Sequence, residues 1–285
     1  MQKKRKKTGL IDVWYRLKKN KLAVAALIVL LFLILIAVFA PLLAPYPYAQ
    51  QNAAFANSGS SAQFLLGTDA LGRDLLSRLI IGSQQSLRMG AIAVAISAAI
   101  GVTLGAIAGF YGGWTDNLCM RLLDIYQAIP MFLLCVTLAA ILGPSLQNAI
   151  IALGISMVPS YARIMRASVL TVRDKEYVDA ARVINASDVR LILRHVMPNA
   201  MAPIIVEVTM GIGTAILAGS SLSFIGLGSQ PPMPEWGAMI ADARSSMREH
   251  PTLALYPGIC IMLVVLSCSL LGDGLRDALD PRLKN

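Results

Sequence analysis

The feature that most constrains this chain is a run without a single charged side chain, from position 22 to position 40. A helix needs about 20 predominantly apolar residues to cross the hydrocarbon core of a bilayer. Inside lipid the backbone must satisfy its own hydrogen bonds, so a spanning run of this kind is helical. Comparable apolar blocks recur near 88–110, 125–142, 146–162, 201–220 and 254–272. Six crossings are the simplest count, and the expected fold class is an all-α, polytopic membrane protein. Charged residues make up 14% of the chain, against roughly 25% in a soluble domain, which agrees with that reading.

The first block could also be read as a signal peptide, because basic residues precede it. It is longer than the usual h-region, and Pro41 follows the small residue Ala40 where cleavage would fall, so a retained anchor is expected. A formal net charge of +9 raises the question of nucleic acid. The distribution of the charge answers it. Nine Lys and Arg precede position 22, Arg121 lies in the second segment between spans, seven more run from Arg163 to Arg194, and Arg276, Arg282 and Lys284 close the chain. The alternate segments hold only Arg73, Arg78, Arg244 and Arg248, with Arg88 at an expected helix end. Basic segments stay cytoplasmic, so both termini are expected inside a bacterial plasma membrane, with lipid rather than nucleic acid as the surrounding partner.

Residues 1–21 read as a basic, amphipathic cytoplasmic arm, and 22–43 as the first span, ending at the Pro41, Pro45 and Pro47 cluster. Residues 44–87 read as an external segment. Its second part, from Thr68, spaces Leu71, Leu75, Leu76, Leu79 and Ile80 for a helix lying on the surface. Residues 88–272 form the expected core of five spans, including an internal loop at 163–199, and 273–285 the cytoplasmic tail. In the second span Ala93, Ser97, Gly101, Gly105 and Gly109 recur every four residues, and Gly211, Ala215, Gly219 and Ser223 do the same in the fifth. Small residues let helix backbones approach in lipid, as fixed packing or as the sliding contacts of a transporter. Pro130 and Pro159 interrupt the third and fourth spans. Arg121 and Asp124 are spaced to pair along one helix. Glu207 lies several residues into the fifth span, about 13 Å along a helix starting near Pro198, either in a pathway or near the inner interface.

No catalytic constellation is visible. The chain has no HExxH and no Walker loop. Cys119, Cys135, Cys260 and Cys268 form no CxxC pair, and His195 and His250 are too few for a zinc framework. The chain is therefore expected to be no enzyme, with neither metal nor cofactor of its own.

The internal loop is not linker-like. Val169, Val172, Tyr177, Val178, Ala181, Val183 and Ile184 suit burial against something, and Ser187 can cap a second short helix. Two short helices meeting at one residue would project a knob from the membrane. The run Asp179-Ala180-Ala181-Arg182-Val183-Ile184-Asn185, with Pro198 thirteen residues beyond Asn185, resembles the EAA motif of bacterial ABC-importer permeases. That motif reads Glu-Ala-Ala, three residues, Gly, and later Leu-Pro. The resemblance implies a coupling helix that docks into a groove on an ATPase subunit, here drawn from Glu176, Tyr177, Asp179, Ala180, Ala181, Arg182, Asn185, Ala186 and Ser187. Small Ala180 and Ala181 would let it sit deep, while Asp179 and Arg182 would pair with charges at the groove rim. Asp179 stands for the family's Glu. Asn185 stands for its Gly, and Asn is the next best residue for the left-handed backbone expected there.

The resemblance extends to Gly67-Thr68-Asp69, Gly72-Arg73-Asp74, Gly112-Gly113-Trp114, Ser223-Phe224-Ile225-Gly226, Pro234-Glu235-Trp236-Gly237 and Gly272-Asp273-Gly274. These are similar to the peptide/nickel permease subfamily, of the dipeptide and oligopeptide permease C-subunit type. They imply a type I ABC-importer transmembrane domain and a heterodimer with a B-type permease. They further imply two ATP-binding subunits holding ATP and Mg, a solute-binding protein outside, and alternating access. Di- or oligopeptides are the expected substrate, with glutathione and nickel as alternatives. For Asp69, Arg73 and Asp74, capping and pairing compete with substrate contact. A stand-alone secondary transporter would need a polar relay across several helices, and an intramembrane enzyme would need paired catalytic groups at one depth.

Overall fold

The computed structural model describes residues 9–279, and these are helical apart from loops and one isolated bridge between Thr68 and Asp74. The basic run at 3–7 and the tail residues Arg282 and Lys284 lie outside the described residues. Helix α1 (Gly9–Leu17) leads into α2 (Lys21–Val38), whose N-cap Asn20 accepts from the Ala23 N–H at 3.1 Å. Ala23, Ala26, Leu30, Leu33 and Ala37 form the buried stripe of α2, while Ile28, Leu31, Phe32 and Leu35 face outward. That is the division expected of a helix with bundle on one side and lipid on the other. One further turn, Ala40–Leu43, carries Pro41, and the helix stops there.

Helix α3 (Leu75–Tyr111) is the spine of the molecule. Its 37 residues make it about 55 Å long, more than a bilayer core requires. Asp74 starts it by accepting from the Ser77 N–H at 2.7 Å and the Ser77 hydroxyl at 2.6 Å. The separate surface helix expected before position 88 is therefore not found. Residues 68–74 are a turn held by Asp69, with Gly72 at φ +70°, and everything from Leu75 onward is one unbroken helix. Leu75 and Leu79 enter one core cluster, Met89, Ala93 and Val94 a second, and Val102, Ala106 and Phe110 a third.

Helices α4 (Gly113–Gln127) and α5 (Met131–Leu142) meet at an 80° corner beside Pro130, so the third crossing is an angled pair rather than a straight span. Helices α6 (Leu146–Ser156) and α7 (Val158–Leu170) read as one 25-residue span, with Pro159 in the first turn of α7, where a missing N–H is tolerated. Short α8 (Glu176–Val183) and the helical pieces at 188–200, here α9, carry the chain to α10 (Ala202–Phe224). After α11 (Trp236–Asp242), α12 (Thr252–Leu279) closes the bundle. The expected tail from 273 begins as the last turns of α12, and residues 163–170 of the expected loop belong to α7. Among the described residues five helices are long and apolar enough to cross a membrane, or six when the bent α4–α5 pair is counted as one span.

The glycine file of α3 faces α7. A Cβ at Gly101 would collide with Tyr161 and the Val158 carbonyl, one at Gly105 with the Ala162 carbonyl, and one at Gly109 with Val169. Gly211 and Gly219 of α10 serve the same purpose against Tyr161 and Met89. Replacing Gly105 with Leu is expected to lower stability by about 3 kcal/mol or more, because backbone cannot yield as a side chain can. Thermal unfolding in detergent checks this, with Gly105→Ala falling between; an unchanged midpoint for Gly105→Leu would show that the seam is loose.

Candidate functional site

The knob formed by α8 and α9 is built on the ends of α3 and α7. Val178 and Ala181 of α8 turn inward and pack with Phe110, Val169, Val172 and Leu191. Helix α8 ends in a Schellman turn: Asn185 donates its N–H to the Arg182 carbonyl at 2.9 Å, and Ala186 to the Ala181 carbonyl at 3.1 Å. Asn185 takes φ +58°, the left-handed conformation expected for it. Ser187 occupies the N-cap of α9, but its side chain makes no capping hydrogen bond; its carbonyl accepts from the Leu191 N–H at 2.9 Å.

Two expectations about individual residues change. Ala181 is buried within this chain and so cannot enter a partner's groove, although Ala180 remains exposed. Asp179 and Arg182 pair with each other at 2.9 Å rather than waiting for outside charges, and the Arg182 guanidinium lies 5.8 Å from the Phe110 ring centre. The outward face instead offers apolar side chains: Val183 is 86% exposed and Ile184 79%, with Tyr177, Val189 and Leu193 also exposed. Glu176 lies on the exposed surface beside Tyr177.

Arginines of α7 and the turn after it fasten this end of the bundle. Arg166 makes a two-pronged contact with Asp116 of α4, and Arg173 donates to the Gly109 carbonyl at 2.8 Å. Arg163 reaches Asp124 at 2.6 Å. Asp124 is thus paired across helices, with an arginine of α7, and not with Arg121 one turn earlier on its own helix.

Glu207 is half-buried on α10. Its carboxylate accepts from the Ser160 hydroxyl at 3.0 Å, and its backbone carbonyl from the Tyr161 hydroxyl at 3.3 Å. It lines a cavity of about 410 Å³ together with Tyr126, Ser156, Thr214 and Arg276. Sequence reasoning singled out Glu207 as an acid in an apolar run. It missed Arg276, which stood in the motif-bearing tail and is brought here by the antiparallel packing of α12 on α10.

At the opposite end one set of buried charged groups is paired within the chain. Arg73 pairs with Asp69 at 2.6 Å and with Asp242 at 3.2 Å, and Arg78 reaches both carboxylates at 3.4 Å. Glu235 is fully buried and accepts from Ser86, Ser220 and the N–H groups of Gly237 and Ala238, at 3.0–3.1 Å. A buried carboxylate is tolerable only with such a full set of donors. Trp236 beside it donates to the Leu79 carbonyl at 3.2 Å. Asp69, Arg73 and Asp74 are thus engaged in pairing and capping within the chain. Arg88, expected at a helix end, stands well inside α3.

Substituting Asn185 with Val forces a β-branched residue into the left-handed region, a cost of about 1–2 kcal/mol. Amide exchange at Ala186, which closes the turn, is expected to quicken about tenfold, and to stay at the native rate in Asn185→Gly.

A family model described as binding-protein-dependent transport system inner membrane component matches residues 101–285. One for the N-terminal transmembrane domain of oligopeptide transport permease C matches residues 10–62. The chain is 48% identical over 274 residues to the dipeptide transport system permease protein DppC of Alkalihalophilus pseudofirmus, covering 96% of this chain and 90% of that one. It is 45% identical over 277 residues to the glutathione transport system permease protein GsiD of Escherichia coli O157:H7, with the same coverages. A solved chain from inward-facing MetNI methionine ABC transporter matches with TM-score 0.59 at 17% identity, over 72% of this chain and 98% of that one. A second crystal form of that transporter gives 0.58 at 16%. At such identities the likeness concerns the fold.

Proposed function

This chain belongs to the family of binding-protein-dependent transport system inner membrane components, the permeases of ABC importers, and on that premise we propose that it is one of two pore-forming subunits of a peptide importer. The observation that carries the proposal is the knob. It buries one face against α3 and α7 and leaves an apolar face of Tyr177, Val183, Ile184, Val189 and Leu193 in the open. A cluster of exposed apolar residues on a rigid mount is what a permanent partner covers. In this reading the partner is an ATP-binding subunit, one of two, which holds the ATP and Mg and does the hydrolysis. A B-type permease completes the pore, and an extracytoplasmic binding protein delivers the solute. The knob and both termini lie on the cytoplasmic side, where the basic segments gather.

Closing of the ATP-binding subunits moves the knob. Because α8 is packed on the ends of α3 and α7, the displacement passes to the two helices joined by the glycine seam and opens the pore to the other side. Glu207 and Arg276 line the cavity on the knob side and give the path one charge of each sign. A zwitterionic peptide suits such a lining. The dipeptide permease is the more similar of the two relatives described, so dipeptides rank before glutathione, and nickel follows.

Labelled dipeptide uptake in a strain lacking this chain is expected to return when the chain is restored, with glutathione and nickel uptake unchanged. Restoration of nickel or glutathione uptake alone would reassign the substrate. Replacing Glu207 with Gln keeps an acceptor for Ser160 and removes the charge; uptake is expected to fall about tenfold at unaltered thermal stability. Native uptake in Glu207→Gln would leave that residue a purely structural role.

A further inference from the structure

Arg88 lies on α3 thirteen residues beyond its first residue, where Ser83, Gln84, Gln85 and Ser86 give way to the apolar stretch that follows Met89. It is exposed on the rim of a cavity of about 460 Å³, bounded by α3, the start of α6 and the turn at 229–233. The other guanidinium groups of this half of α3 and its approach, Arg73 and Arg78, are buried and paired with carboxylates. Arg88 has no such partner among the described residues.

The rest of the rim sharpens the contrast. Ser145, Ser229 and Gln230 also line the cavity, but their side chains are engaged with backbone groups: the Ser145 hydroxyl with the Asn148 N–H, the Ser229 hydroxyl with the Met233 carbonyl, the Gln230 amide with the Gly226 and Gly228 carbonyls. Gln85 and Gln147 have no hydrogen-bond partner among the described residues. Three uncommitted groups, one guanidinium and two carboxamides, therefore line the same space. Beyond them, toward the knob, Ile92 and Ile96 continue the wall one and two turns along α3.

We infer that Arg88, with Gln85 and Gln147, reads the free carboxylate of the transported peptide at the mouth of the path farther from the knob. A guanidinium presents paired N–H donors that match the two oxygens of a carboxylate, and the carboxamides supply donors and acceptors for the neighbouring peptide group. The isoleucines behind them offer nothing to a charge, so an anionic end engages the rim first. This inference rests on the peptide-importer reading and goes beyond it by giving the solute a required chemical group and naming where that group is recognised.

The test uses the complete importer with its partner subunits, reconstituted in vesicles, and compares uptake of trialanine with that of trialanine C-terminal amide. Each rate is normalised to the affinity of the isolated binding protein for that peptide. Arg88→Gln is expected to lower trialanine uptake about tenfold and to change uptake of the amide by less than about twofold, while Arg88→Lys keeps most trialanine uptake. If the wild-type importer excludes the amide, the decision rests on trialanine: loss in Arg88→Gln with recovery in Arg88→Lys supports the inference. Native trialanine uptake in Arg88→Gln, or equal losses for both peptides, overturns it. A loss that follows the phosphatidylglycerol content of the vesicles instead of the peptide terminus assigns the guanidinium to lipid phosphate and also overturns it. Wild-type vesicles that import neither these peptides nor labelled dipeptides would sink the peptide-importer reading itself, a result distinct from all of these.

Discussion

Close backbone contact between α3 and α7 is the constraint on which the rest of this structure depends. Lipid tails are as apolar as the side chains they meet, so association of spanning helices draws on van der Waals contact and polar links instead of on expulsion of water. Gly101, Gly105 and Gly109 remove the side chains that would hold the helices apart. The seam continues past the glycines into Phe110 and Val169, and from there into Val178 and Ala181 of the knob. Arg173 bonded to the Gly109 carbonyl and Arg166 held by Asp116 fix the same junction with charge. Helix α8 is short and could not stay helical alone, so its shape and its mount are one piece of packing.

The two ends of the bundle handle polarity in opposite ways. Far from the knob, Asp69, Arg73, Arg78 and Glu235 are buried and each held by several partners, with the more exposed Asp242 bridging Arg73 and Arg78, while Arg88 stands apart from them. Breaking one partner of such a network leaves another unsatisfied, which makes that end stiff. At the knob the internal contacts are satisfied as well, but Tyr177, Val183, Ile184, Val189 and Leu193 stand exposed among charged neighbours. A stiff far end and an unfinished near end are what a lever needs.

Much of this was legible in the residues. The glycine file could be read because its four-residue spacing matches the helical repeat, and the left-handed Asn185 because it stands where the resembled motif has Gly and is the next best residue for that backbone. What escaped depended on distant partners. Apolar spacing alone separates a surface helix before position 88 from the second span. In the fold Ser86 is bonded to Glu235 and Trp236, 149 and 150 residues away, and the helix runs through. Asp124 was assigned to Arg121 by local spacing and belongs to Arg163 by tertiary packing. Ala181 was placed outward by motif position, yet the face that α8 turns to the bundle is set by Phe110 and Val172 beneath it. Arg276 reached the Glu207 cavity only through the pairing of α12 with α10.

The central claim is that the exposed face of the knob is seated on a nucleotide-hydrolysing subunit and passes its motion to α3 and α7. Single cysteines at Val183 and Ile184, crosslinked in native membranes, test it most directly. The account predicts a covalent adduct with the ATP-binding subunit whose yield changes when ATP is added. An adduct that never forms while the assembled importer is active, or labelling of these positions from the outer face of the membrane, would contradict it.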